Sequence, residues 1–311
     1  MRALSLHLAV LALLLGLHFV LPAYHHANLA RIMVLAVFAM GYNIAFGYTG
    51  LLSLGHALLL SAGMFGAGLL IQHFGLTAAP ALLIGTLAGA AMAAVTGLLA
   101  LRTTGVSLMI VTLMFAQAGY LTLLYFGAVT GGDEGFPVPA AGRVAFGLNL
   151  AAEGPRYLVA LGLFAVALMG NLALVRSRFG RVMVAMRENE ERSRMLGYNP
   201  FAVKLGLMAL SGLYAGAAGA FYGVMFGYVG ATFATIPYSI LPLLYVLLGG
   251  AGVTLGPLLG AVLMFYLIDL ASSHTTVQLA VTGGALLVLV LFAPKGILGS
   301  LRERGLASWL P

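Results

Sequence analysis

The chain is built from successive apolar runs, each long enough for a helix of roughly 20 residues to cross a hydrocarbon layer of about 30 Å. These runs fall at 3–22, 29–47, 52–71, 79–101, 105–127, 156–175, 201–226, 237–249, 256–271 and 276–293. A helix satisfies its own backbone hydrogen bonds and is therefore stable in lipid. The runs are continuous and lack the alternation of a membrane barrel, so strands are not expected to span. The reading is an all-α polytopic membrane protein with about ten transmembrane helices, some broken or re-entrant. The run at 237–249 is too short to cross unaided, and with 256–271 it is a candidate broken pair.

Composition excludes the rival classes. Only 7% of residues are charged and 62% are hydrophobic. A soluble protein averages about 25% charged residues. Cysteine is absent, which removes thiol nucleophiles, disulfides and Cys-based metal sites. The net charge of +7 reads as topology, not as affinity for nucleic acid. Arg176, Arg178, Arg181, Arg187, Arg192, Arg194 and Lys204 cluster in one polar segment, and Lys295, Arg302 and Arg304 follow the last run. If both regions are cytoplasmic, span parity adds Arg2 and Arg102 and leaves Arg31, Arg143 and Arg156 outside. That distribution follows the positive-inside rule and predicts N-in, C-in. Residues 3–22 are read as a retained first span, because the following LPAYHHA lacks a small-x-small cleavage site.

Residues 1–311 are expected to form a single membrane domain with an inner polar segment, 176–204, and an outer loop, 128–155. The polar segment predicts a short charged helix over 181–196. Opposite charges lie four apart at Arg187–Glu191, Glu188–Arg192 and Glu190–Arg194. Gly197 and Asn199-Pro200 then stop it. Val182, Met183, Met186 and Leu196 would rest on protein or lipid. Such a helix, pinned between two spans, suits docking of a cytoplasmic partner.

Two glycine-rich breaks interrupt the apolar pattern, GYTGLLSLGH at 47–56 and GGAGVTLGP at 249–257. Gly212 and Gly216, Gly219, Gly223 and Gly227, and Gly252, Gly256 and Gly260 lie at the four-residue spacing that lets membrane helices approach closely. His56 is expected to pack or to hydrogen-bond between helices; a Ser53–His56 hydrolase is the remote alternative. The histidines show no metal spacing, and there is no Walker A motif. No cofactor or metal is expected.

The stretches at 47–68, 185–223, 249–261 and 291–299 resemble, in order and spacing, the permease subunits of bacterial ABC importers for branched-chain amino acids, the LivM/LivH family. The resemblance implies a heteromeric importer in the inner membrane. A second homologous permease subunit, two cytoplasmic ATPase subunits and a periplasmic substrate-binding protein would complete it. It makes residues 187–197 the ATPase-coupling helix, with Arg187, Glu188, Asn189, Glu190 and Gly197 as its contacts. A carboxylate-bearing substrate favours helix N-termini at broken helices, which nominates Gly50, Ser53 and His56 as pathway residues. Permeases for urea, short amides or other amino acids share these motifs. A stand-alone secondary transporter is the alternative of a different class, disfavoured by the scarcity of buried charge.

Overall fold

The computed structural model describes residues 2–145, 147–274 and 295–303, with positions 283, 284, 287, 291 and 293 between. The helices are α1 (Arg2–Val20), α2 (Ala23–Asn43), α3 (His56–Phe74), α4 (Ala78–Ala100), α5 (Val106–Tyr125), α6 (Gly127–Thr130) and α7 (Glu153–Arg176). They continue with α8 (Arg178–Glu188), α9 (Glu190–Met195), α10 (Pro200–Phe226), α11 (Ile236–Gly249), α12 (Gly256–His274) and α13 (Ile297–Glu303). Among the described residues, six are long and apolar enough to cross a membrane: α2 with its extension to Tyr48, α3, α4, α5, α7 and α10. Leu4–Val20, Ile236–Gly249 and Gly256–Ser272 are shorter apolar helices. Each of the first nine expected spans coincides with an apolar helix; 276–293 lies outside the described residues as a span. The chain is a multi-pass, all-α membrane protein.

Helix α2 runs through the centre, packed on α7, α10, α11 and α12. Its Phe38, Met40 and Tyr42 are fully buried. Helices α4 and α5 turn residues such as Leu83, Val95, Ile110 and Met114 outward, as a lipid-facing surface requires. The expected glycine contacts are present. A Cβ on Gly216 of α10 would sit 2.8 Å from Gly89 Cα of α4, and one on Gly63 of α3 would sit 2.1 Å from the Gly216 carbonyl. Only glycine lets these three backbones meet. Among the described residues, strands occur only as two-residue ladders outside the long helices. Phe136–Pro137 pairs with Tyr228–Val229, and Val144–Ala145 pairs with Leu148–Asn149. The first ladder ties the 128–155 loop to the end of α10.

The bundle therefore has a loop end and a polar end. Arg102, Arg176–Lys204 and α13 lie at the polar end, whereas Arg143 and Arg156 lie at the loop end. Both expected breaks interrupt the α-helices. Helix α2 loosens into a π-helical turn at Ile44–Tyr48, and Gly50 has a φ of +75°. Gly250 and Gly252 have φ of +121° and +75° between α11 and α12. Helix α11 has 14 residues, about 21 Å at ~1.5 Å per residue, and Pro242 lies inside it.

The charged helix expected over 181–196 is corrected: it is two helices, broken at Asn189. That residue is extended, with φ −159° and ψ 104°, and its Oδ1 accepts from Arg192 N at 2.8 Å. An Asn at this point satisfies an orphan N–H of α9, which competes with continuing α8. The break separates Arg187 from Glu191 and Glu188 from Arg192, and none of the three expected opposite-charge pairs forms an ion pair. Glu190 instead pairs with Lys204 of α10 at 2.5 Å. Met183 and Met186 are buried as expected, but Leu196 is 71% exposed.

Candidate functional site

The polar segment is built from caps. Ser177 Oγ accepts from Gly180 N at 3.1 Å and starts α8. Asn189 starts α9, whose first turn carries Glu190 and Glu191 and whose last turn carries Arg192 and Arg194, matching the helix dipole. Gly197 takes a φ of +90° after Leu196, and Asn199 Oδ1 accepts from Ala202 N at 3.2 Å to start α10. Two short helices are thus held at both ends.

One side chain carries this segment into the bundle. Arg187 Nη1 donates to the Gly47 carbonyl, at the loosened end of α2. That carbonyl sits in the last turn of a helix, where backbone acceptors lack intrahelical partners and a cation is favoured. The Arg187 stem also covers Gly50, where a Cβ would lie 3.3 Å from Arg187 Cγ. The second break comes to the same place. Asn43 Nδ2 donates to the Val253 carbonyl at 3.0 Å, and Gly252 N donates to Asn43 Oδ1 at 2.9 Å. A Cβ on Gly47 would sit 2.6 Å from Gly252 N, so glycine is needed where the breaks touch. Segments more than 200 residues apart therefore meet in one knot, with Arg187 on its surface and Asn43 inside it.

Beside the knot is a groove of about 280 Å³ lined by Thr49, Gly50, Thr104, Glu188, Glu190 and Lys204, among others. Arg187, Glu188, Asn189, Glu190 and Gly50 share this groove. Gly197 stands apart in an open turn. At the end of α9 and just after it, Met195, Leu196 and Tyr198 are 86%, 71% and 45% exposed, close in sequence to Arg192 and Arg194.

Ser53 and His56 lie elsewhere, fully buried. Ser53 Oγ accepts from Gly55 N at 3.2 Å. His56 Nε2 is 2.8 Å from Ser211 Oγ, and Ser211 donates to the Gly41 carbonyl at 2.6 Å. The single Ser211 proton is used on Gly41, so His56 Nε2–H donates to Ser211. The Tyr42 ring meets His56 edge-on at 4.6 Å. The Ser53 hydroxyl and the His56 ring do not pair with each other, and His56 ties α3 to α10. Ser239 of α11 caps the start of α3 by accepting from Ala57 N at 3.1 Å. Among the described residues, no group of three or more His, Asp or Glu comes together as a metal site.

Sequence reasoning missed Asn43, Ser211 and Ser239. Asn43 carried a usable signal, because a carboxamide inside an apolar run needs a partner in the bundle.

Residues 26–293 match the model of the branched-chain amino acid transport system / permease component family. The chain is 30% identical over 298 residues to the high-affinity branched-chain amino acid transport system permease protein LivM of Escherichia coli, covering 88% of this chain and 69% of that protein. The Salmonella typhimurium LivM is likewise 30% identical over 294 residues, 88% of this chain and 69% of that protein. A probable LivM of Methanocaldococcus jannaschii is 26% identical over 140 residues, 40% of this chain and 41% of that protein. No solved structure matches. The chain belongs to the branched-chain amino acid transport permease family of ABC transporters.

Proposed function

We propose that this chain is one permease subunit of an ABC importer that moves branched-chain or similar small amino acids into the cytoplasm. The reading has it as a single membrane domain of the inner membrane, about ten spans, N-in and C-in, with the polar end cytoplasmic. A second homologous permease completes the pathway. A periplasmic binding protein delivers substrate at the loop end, and two cytoplasmic ATPase subunits supply energy. Helices α8 and α9 dock on one ATPase through exposed Met195, Leu196 and Tyr198, a small apolar patch of the kind that marks a protein contact. The chain acts as a transport component, and ATP hydrolysis belongs to its partners.

The observation that carries this reading is Arg187. It joins the docking segment to Gly47, and Gly47 touches the Gly252 break that Asn43 holds. A displacement of α8 is therefore applied to two unwound segments at once. ATP-driven closure of the ATPases biases the bundle between two states through that contact.

The test is Arg187→Gln in the complex reconstituted with its partners, scored for leucine uptake and ATP hydrolysis together. The expected result is uptake reduced at least tenfold, with hydrolysis retained and the complex intact. Uptake that keeps its wild-type ratio to hydrolysis overturns the transmission role.

A further inference from the structure

Of the three arginines outside the polar end, two lie against one aromatic ring and the third lies against the residue that follows it. Arg31 Cζ of α2 lies 4.9 Å from the Phe226 ring centroid, and Arg156 Cζ of α7 lies 5.5 Å from the same ring. Arg143, from the loop, lies against the next residue, where any side chain in place of Gly227 would collide with its guanidinium. Arg156 stands within electrostatic reach of Arg31, Arg143 and Glu153. Arg31 is exposed and Arg143 and Arg156 are half-buried, and three like charges drawn together repel.

Their partners differ in a telling way. Arg156 is anchored: its Nε donates to the Leu150 carbonyl at 3.3 Å, and its Nη2 donates to the Ala151 carbonyl. Arg31 and Arg143 have no acidic partner among the described residues. Arg143 Nε is sequestered from solvent with no acceptor at all. A secluded cationic N–H without an acceptor is costly, and a bound anion removes that cost. The guanidinium fork matches a carboxylate in particular.

An apolar wall stands beside the charges. Tyr222 meets Phe226 at 4.7 Å and Phe233 at 5.2 Å, and Phe233 meets Tyr238 at 4.8 Å. Tyr222 and Tyr238 are both within electrostatic reach of Arg31. Cations next to a continuous aromatic face fit a small molecule with a carboxylate at one end and an aliphatic group at the other. We propose that Arg31 and Arg143, with the Tyr222–Phe226 wall, form a receiving site at the loop end for the α-carboxylate of an amino acid with an aliphatic side chain. The site rests on the importer reading for its direction; its chemistry rests on the arginines.

The probes are leucine and leucinamide, which differ in the carboxylate. Binding of each to the purified complex, without the binding protein, is measured by saturation-transfer NMR. Association of the complex with the binding protein is measured separately. The wild type is expected to prefer leucine at least tenfold. Arg31→Gln and Arg143→Gln should each weaken leucine about tenfold and erase the preference, while Arg31→Lys recovers part of it. Unfolding temperatures identify any variant that has lost its fold, and Arg31→Lys then carries the comparison. Equal binding of leucine and leucinamide by the wild type overturns the proposal, as does unchanged leucine binding by the double variant. Unchanged leucine binding with weakened association also overturns it and assigns the arginines to an acidic surface of the binding protein. A wild-type complex that binds leucine through these arginines yet imports no amino acid sinks the importer reading and leaves the site standing.

Discussion

Replacing Asn43 with leucine keeps the branching at Cγ, puts bulkier methyl groups in place of the amide atoms and removes both hydrogen bonds to the α11–α12 break. Gly252 N loses its acceptor at 2.9 Å and the Val253 carbonyl its donor at 3.0 Å. Val253 is fully buried, so its carbonyl finds little water in exchange; Gly252 is partly exposed and is partly compensated. An unsatisfied buried group costs about 1–3 kcal/mol, whereas polar pairs inside membranes average nearer ~0.6 kcal/mol because the unfolded reference also finds partners. The first figure governs Val253 and the second Gly252, which gives a loss of roughly 1.6–3.6 kcal/mol held locally. At about 1.4 kcal/mol per tenfold, the opening equilibrium of the break rises about 15- to 400-fold.

Hydrogen exchange of the detergent-solubilised protein reads this directly, because the Gly252 amide is itself the donor. The peptide over 249–256 should lose protection by that factor, while peptides in α3 and α10 keep theirs. Asn43→Asp is the internal control. It retains Oδ1 as acceptor, so Gly252 should stay closer to wild type than in Asn43→Leu. Wild-type protection at Gly252 in Asn43→Leu would refute the idea that this side chain holds the break.

Three further outcomes are expected. Gly216→Leu places side-chain atoms where even a Cβ is 2.8 Å from Gly89 Cα; overpacking of this kind costs about 1–3 kcal/mol or more, and a wild-type yield of monodisperse protein would contradict it. Met195→Ser with Leu196→Ser alters side chains that are 86% and 71% exposed, so the unfolding temperature should hold while co-purification of an ATPase subunit drops; undiminished co-purification moves the docking surface elsewhere. Ser211→Ala takes the acceptor from His56 and the donor from the Gly41 carbonyl, and should destabilise the bundle by about 1–3 kcal/mol in a chemical-unfolding series; an unchanged midpoint shows that His56 is not a tie.

Much of the site was legible in part. The breaks at 47–56 and 249–257 could be read because glycines in an apolar run disfavour a helix, and both are unwound. The polar segment 176–204 could be read because it gathers charges the spans exclude. Its division at Asn189 was not anticipated, because charge spacing favours one helix while the cap on Arg192 N favours two. Gly50 was expected on the pathway and lies beside Arg187 in the polar-end groove, whereas Ser53 and His56, expected with it, are buried in packing contacts.

Sequence alone determined the solvent and the class of fold: 62% hydrophobic and 7% charged residues in helix-length runs admit only a helical membrane protein, because lipid offers no partner to an open backbone. It also determined the family, through motifs that are local strings. Tertiary structure decided which distant groups share a place. Asn43 and Val253, Arg187 and Gly47, and Arg31 and Arg156 around Phe226 are brought together by helix packing. Hydropathy and periodicity describe the surroundings of each residue one at a time, whereas a hydrogen bond or an ionic cluster depends on where two or three residues arrive together.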